Sequence, residues 1–208
     1  MANISRINGF RPVKHLTGAP YNGQATLYYV ASAADEILAG DVVKTGGSAD
    51  ANGIPSADLA GATDVPIGIV VGVMHSKFDP AGKMTTGSTS LDVPTASQIA
   101  AGAAGYILVA DAPDLVMEVE ADTSATPAAA DVGLNASHTN LANGLTRTSA
   151  TTTSAAALNT TTKAVTSTLN FQILGFVQKV DNEIGASARL LVRFNRHQYN
   201  SVGTTGIA

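Results

Sequence analysis

The chain has 208 residues, 45% of them hydrophobic, with a net charge of −4 and no cysteine. The apolar content suffices for a folded core and excludes wholesale disorder, and the missing thiols exclude disulfide staples, thiolate metal sites and thiol catalysis. The 12 basic residues form no run, which argues against a nucleic-acid partner, and no apolar stretch reaches the roughly 20 residues of a membrane span.

Only 13% of residues are charged, against about 25% in an average domain. Ala, Gly, Ser and Thr take their place. Charge is depleted at the centres of protein interfaces, so such a surface points towards a protein covered by partners. The start, MANISRINGF, lacks the apolar stretch of a secretory signal, and synthesis in a cytosol without export is expected.

Residues 1–23 carry Pro12 and Pro20 and show little periodicity. They read as an extended N-terminal arm, either a disordered terminus or a strand or clasp laid on a neighbouring subunit. Ile4, Ile7, Phe10, Val13 and Leu16 make it too apolar for a solvated tail, and these five are the candidate partner-binding residues. Residues 24–199 read as one β-rich domain, and residues 200–208 as a Gly/Thr tail.

Within the domain, residues 24–31 read as a strand with Tyr28 and Tyr29 on opposite faces. Residues 38–44 read as a turn entering a short strand, and residues 45–64 as a loop with a turn at Asn52-Gly53. Residues 66–75, PIGIVVGVMH, read as a buried strand in which Gly68 and Gly72 allow close approach of another backbone. Residues 76–90 read as a loop. One or two helical turns are expected over residues 95–101, capped by Thr95.

The clearest signal is YILVADAPDLVMEVE, residues 106–120. Two period-two strands flank Asp111-Ala112-Pro113-Asp114, and Pro113 belongs in a turn because it cannot donate to a ladder. The expectation is a hairpin. A short helix is expected over residues 127–135, with Pro127 at its first turn and Gly133 ending it. Residues 143–168, rich in Thr and Ser, lack bulky apolar groups and read as a mobile surface loop or an outer edge hairpin. Residues 169–180 and 188–194 read as two strands joined by the Asp181-Asn182-Glu183-Ile184-Gly185 turn. Gly68-Ile69-Val70 with Val73 echoes Gly175-Phe176-Val177 with Val180, so the two strands are candidates for equivalent places in a barrel. Together these elements predict a mainly β (β-rich α+β) fold, barrel- or sandwich-like, with one or two short helices.

Chemistry is hard to find. Glu118 and Glu120 share a strand face and could perform acid/base work, but a solvated outward face is the expected reading. Asp131 and Asn135 have oxygen ligands at odd spacing without the rest of a calcium loop. His15, His75, His138 and His197 show no zinc spacing. No catalytic residue, cofactor or metal is assigned, and the chain is not expected to be an enzyme.

The runs ILVADAPDLVMEVEAD (107–122), AADVGLNA (129–136) and ILGFVQKVDNEIGASARLLVRFNRHQY (173–199) together resemble capsid decoration, or cement, proteins of tailed bacteriophages. The opening residues 1–23 are similar to the start of such chains. The resemblance implies a structural virion protein on the outer surface of the head. There it would bind the major capsid protein and neighbouring copies of itself, with a homotrimer favoured, and stabilise the expanded shell against DNA pressure. It implies no catalytic residue. Two alternatives stay open. One is a receptor- or carbohydrate-binding module on a virion, motivated by the Thr/Ser-rich loop, although few aromatics are present to form a glycan platform. The other is a different virion component, such as a tail, fibre or major shell subunit.

Overall fold

The computed structural model describes residues 3–31, 36–75, 98–99, 104–141 and 154–200. The fold is mainly β, as the sequence predicts. The strands are β1 Arg11–His15, β2 Thr26–Val30, β3 Ile37–Leu38, β4 Val42–Ala49, β5 Pro55–Leu59, β6 Gly68–His75 and β7 Gln98–Ile99. They continue with β8 Gly105–Ala110, β9 Leu115–Glu120, β10 Asn135–Thr139, β11 Ala157–Ala164, β12 Phe171–Phe176 and β13 Arg189–Phe194. Strands β2-β5-β4-β6-β8 close into a barrel, and β1-β9-β13-β12-β10-β11 form a six-stranded sheet. That sheet curls until β11 meets the end of β9, where Leu158 bridges Ala121 in parallel and its carbonyl accepts from Asp122 N at 2.9 Å. Among the described residues no helix is long and apolar enough to cross a membrane.

The curled sheet repeats the barrel. Matching β2 with β9, β4 with β10, β5 with β11, β6 with β12 and β8 with β13 gives the same neighbours in both halves. One contact in each is parallel (Tyr29 with Ser56, Ala121 with Leu158) and the other four are antiparallel. The registers agree as well. Val70 faces Val109 and Gly72 faces Leu108, with a bulge between; Ile173 faces Val192 and Gly175 faces Leu191, with the same bulge. Tyr28 faces Ile107 where Val119 faces Leu190, and Thr45 faces Ala57 where His138 faces Leu158. A bulge fixes local twist and bend, so a shared bulge gives both rolls the same curvature. The strands of the sequence echo do hold equivalent places, although Gly175 matches Gly72 and not Gly68.

Several expectations give way. Strands β8 and β9 exist but do not pair: β8 lies between β2 and β6, and β9 between β1 and β13. Residues 111–114 are therefore the crossover from one roll to the next. A two-residue period shows that a segment is a strand but not which edge it finds. Residues 45–59 are no loop but most of the β4–β5 hairpin, turning at Asn52-Gly53 as expected, and only residues 60–64 are irregular. The helix expected over 127–135 is a single 3-10 turn, Ala129–Asp131. Within the helix expected over 95–101, Gln98 and Ile99 instead pair with Leu38 and Ile37. The rest of that segment and residues 76–90 lie outside the described residues.

The Thr/Ser-rich span holds a strand. β11 pairs antiparallel with β10 through Ala157, Leu158, Asn159 and Ala164, with an irregularity between Asn159 and Ala164, and Ala155, Ala156, Ala157 and Leu158 are buried. These alanines matter because small side chains let strands pack closely, and Ala156 and Leu158 both join the core. Ser154 donates to buried Asp41, and Thr160 donates to buried Asp122. Residues 142–153 lie outside the described residues.

The arm is also part of the fold. β1 is antiparallel to β9, and Phe10, 1% exposed, stacks on Phe171 at 4.7 Å between ring centroids. Burying a phenyl ring contributes roughly 1.5–3 kcal/mol, and the free edge of β9 in the same chain needs no second molecule to find it.

The two rolls meet at a polar seam. Ala60 O accepts from His138 Nε2 at 3.0 Å and from Asn140 Nδ2 at 2.8 Å. Asn170 Nδ2 donates to Ala62 O and Asp64 O. Gln198 accepts from Thr45 N with its side chain and donates to Pro66 O with its backbone.

Candidate contact surface

Residues 3–7 precede the first strand with no regular structure, and two clamps hold them. At one end Asn3 Nδ2 donates to Glu183 O at 2.8 Å and Ala186 O at 2.9 Å, while Asn3 Oδ1 accepts from Glu183 N at 2.8 Å. At the other, Glu120 accepts from Ser5 Oγ at 2.8 Å and from Arg6 N at 2.7 Å. Glu120 is buried, so the outward, solvated face expected for it is corrected: its carboxylate is desolvated against the arm it holds. Charge-assisted bonds of this kind are about twice as strong as neutral ones. Glu118 faces Arg189 at 2.9 Å, with Lys179 at 3.4 Å, and is likewise a structural anchor.

Between the clamps, Ile4 is 71% exposed. A cleft of about 110 Å³ beside it is lined by Asn3, Ile4, Arg6, Asp181, Asn182 and Arg189, among others. Across this cleft runs the β12–β13 turn, which carries fully exposed Val180 and Ile184 at 55% exposure. Asn182 pins the turn, donating to Val177 O at 2.8 Å and Arg189 O at 3.0 Å and accepting from Arg189 N at 2.7 Å. The backbone is thus tied down by hydrogen bonds while three aliphatic side chains stay in water.

The five sequence candidates do not form one patch. Ile4 belongs to the group just described. Ile7 is half-buried, and Phe10 is corrected from partner-binding to core, because its ring is enclosed by Phe171 and His138. Val13 is exposed in the middle of β1 and Leu16 just past its end. Leu16 there lines a second cleft of about 190 Å³ with Pro113, Asp114, Arg193, Phe194 and Asn200. Val180 and Ile184 were missed by sequence reasoning. The available signal was an isoleucine inside an Asn/Gly turn, where an apolar side chain has no core to enter.

Polar groups elsewhere serve the fold. Asp131 Oδ2 accepts from Ala128 N at 2.7 Å and pairs with Lys163. Among the described residues no three His, Asp or Glu side chains gather to hold a metal. His138 is fully buried at the seam and its pKa is lowered, chiefly by desolvation, against the weaker pull of the Ala60 carbonyl and of Asp41 and Asp64. His197 is lowered for the same first reason. The Tyr28 hydroxyl, buried and bonded to Asp111 and Tyr199, is held in its neutral form well above the usual phenol range.

No protein-family model, no curated protein and no solved structure matches this chain.

Proposed function

We propose that the chain is a structural virion protein, a decoration or cement protein of a tailed-phage head. It binds the outside of the shell between major capsid subunits and acts by contact, and copies associate with one another, a trimer being favoured. The observation that carries this reading is the exposed group Ile4, Val180 and Ile184, mounted on a hydrogen-bonded frame. Exposed aliphatic side chains cost solvation free energy that a partner's surface recovers, and a pinned backbone loses little entropy on binding. The 181–185 turn that presents Ile184 also carries one of the motifs resembling decoration proteins. Binding to the expanded shell but not to its precursor would stabilise the expanded form by mass action.

The test is to mix purified undecorated heads with the protein and with an Ile4→Ser/Val180→Ser/Ile184→Ser variant. The expected result is that the unaltered protein raises the temperature at which heads release DNA, and that the variant binds at least tenfold more weakly. Heads equally heat-resistant with and without bound protein would overturn the reading.

A further inference from the structure

The basic residues form no run in sequence, but the fold gathers half of them. In the stretch β1-β9-β13, Leu115, Met117 and Val119 face the core, so Val116, Glu118 and Glu120 face outward. Residues directly opposite one another in an antiparallel pair share a face. Lys14 and Arg193 therefore flank Val116, with Arg11 beside Glu118 and Arg189 beside Glu120. Lys179 reaches Glu118 from beyond β12 at 3.4 Å. Arg6 joins them through its backbone bond to Glu120, and it lines one small cleft with Arg11, Arg189 and both glutamates. Six of the 12 basic residues thus lie on one face of a chain whose net charge is −4. The two carboxylates between them are largely buried, whereas Arg6, Arg11, Lys14 and Lys179 are exposed. Among the described residues no acidic side chain pairs with Arg6, Arg11 or Lys14. Acids stand at the rims: Asp114, bound to His15, at one end, and Asp181 and Glu183 in the β12–β13 turn at the other.

We propose that this face docks an acidic protein surface, one that sets carboxylates against Arg6, Arg11 and Lys14 and apolar side chains against Ile4. Cations gathered on one face repel one another, and a partner of opposite sign relieves that repulsion and steers the encounter. The frame is prepared for it: Arg189 is held by Glu118 at 2.9 Å, and Arg193 Nε donates to Gln172 Oε1 at 2.8 Å. The surroundings favour protein over nucleic acid. Arg6 lines the same cleft of about 110 Å³ as Ile4, so the basic face runs into the aliphatic group Ile4, Val180 and Ile184. A phosphate backbone offers nothing to three aliphatic side chains, and Glu118 and Glu120 would repel it. A protein surface supplies carboxylates and apolar groups together. This deepens the proposed function: with the capsid shell as owner of the acidic surface it rests on the decoration reading, while the chemistry of the face stands without it.

The test measures binding to a random glutamate–tyrosine copolymer, to a short DNA duplex and to purified undecorated heads. Three full-length proteins are compared: the unaltered chain, Arg6→Gln/Arg11→Gln/Lys14→Gln, and the control Gln24→Glu/Thr26→Glu/Thr63→Glu, which makes the same change in net charge at exposed positions of the first roll. The unaltered protein is expected to bind the copolymer more tightly than the duplex. Raising NaCl from about 50 to 500 mM weakens that binding at least tenfold, because salt screens exposed charges. The basic-face variant binds copolymer and heads at least tenfold more weakly than the control does. Equal binding by variant and control, or tighter binding of the unaltered protein to the duplex than to the copolymer, overturns the proposal. Copolymer binding that is lost in the variant, with heads that take up no protein at all, supports the face and overturns the decoration reading alone.

Discussion

Gly40 and Gly133 hold the same backbone angle, φ 97°, and make the same hydrogen bond. Gly40 N donates to Val70 O at 2.7 Å, and Gly133 N donates to Ile173 O at 2.8 Å; one residue on, Asp41 O and Leu134 O accept from Val70 N and Ile173 N. Each glycine turns the chain into the second strand of its roll, at a φ that other residues adopt only under strain. Gly40→Ala and Gly133→Ala should each lose about 1–3 kcal/mol, measured by urea unfolding. At Gly40 the new Cβ would in addition stand 3.0 Å from Asn8 O and 3.1 Å from Gly9 Cα. A negligible loss at both sites would contradict the strain account.

Phe10 and Ile4 should separate stability from binding. Phe10→Ala is expected to cost about 3–5 kcal/mol, the usual range for a buried ring. Ile4→Ser should stay within about 0.5 kcal/mol of the unaltered protein, since its side chain is mostly in water. Denaturant midpoints decide this, and a large loss from Ile4→Ser would mean that the side chain is part of the core.

Leu158 tests whether the Thr/Ser-rich span is a strand of the core. It is buried in the same cluster as Phe171 and Leu190, so Leu158→Ala should cost about 2–5 kcal/mol. Thermal melts read the effect. A near-unchanged melt would return the segment to the status of a surface loop.

Glu120 holds the N-terminal segment through two hydrogen bonds. Glu120→Ala should leave Ser5 Oγ and Arg6 N without that partner and speed tryptic cleavage after Arg6 several-fold, as read by mass spectrometry. Cleavage at the unaltered rate would show that Asn3 alone secures the segment.

The buried histidines set an acid limit. The folded pKa values of His138 and His197 are lowered from 6.5 by burial, so below that value the unfolded chain binds protons that the folded chain refuses. Stability is then full above pH 6.5 and falls as pH drops through that value towards the folded pKa values. Asp50 and Asp64, whose folded pKa values are also lowered from 3.8, lose their contribution only in a more acid window. The melting temperature should therefore fall between pH 7.5 and pH 5, and His138→Gln should make that fall shallower. An equally steep fall in His138→Gln would place the sensitivity elsewhere.

The amino-acid order determined the apolar alternating strands and little of their pairing. Alternation in Arg189–Phe194, with Leu190, Val192 and Phe194 inward, follows from the pleat alone, and the 181–185 turn joins neighbours that need no distant information. The break between β8 and β9 could not be read, because both segments have the period of a hairpin and only the competition of β2, β6, β1 and β13 for their edges divides them. For Phe10 and Ile4 the chain offers the same apolar character six positions apart; Phe171 and His138, far along the sequence, make one a core residue and leave the other in water. The matching registers of the two rolls are likewise invisible in residue identity, since a bulge and a φ of 97° constrain backbone shape while tolerating different side chains.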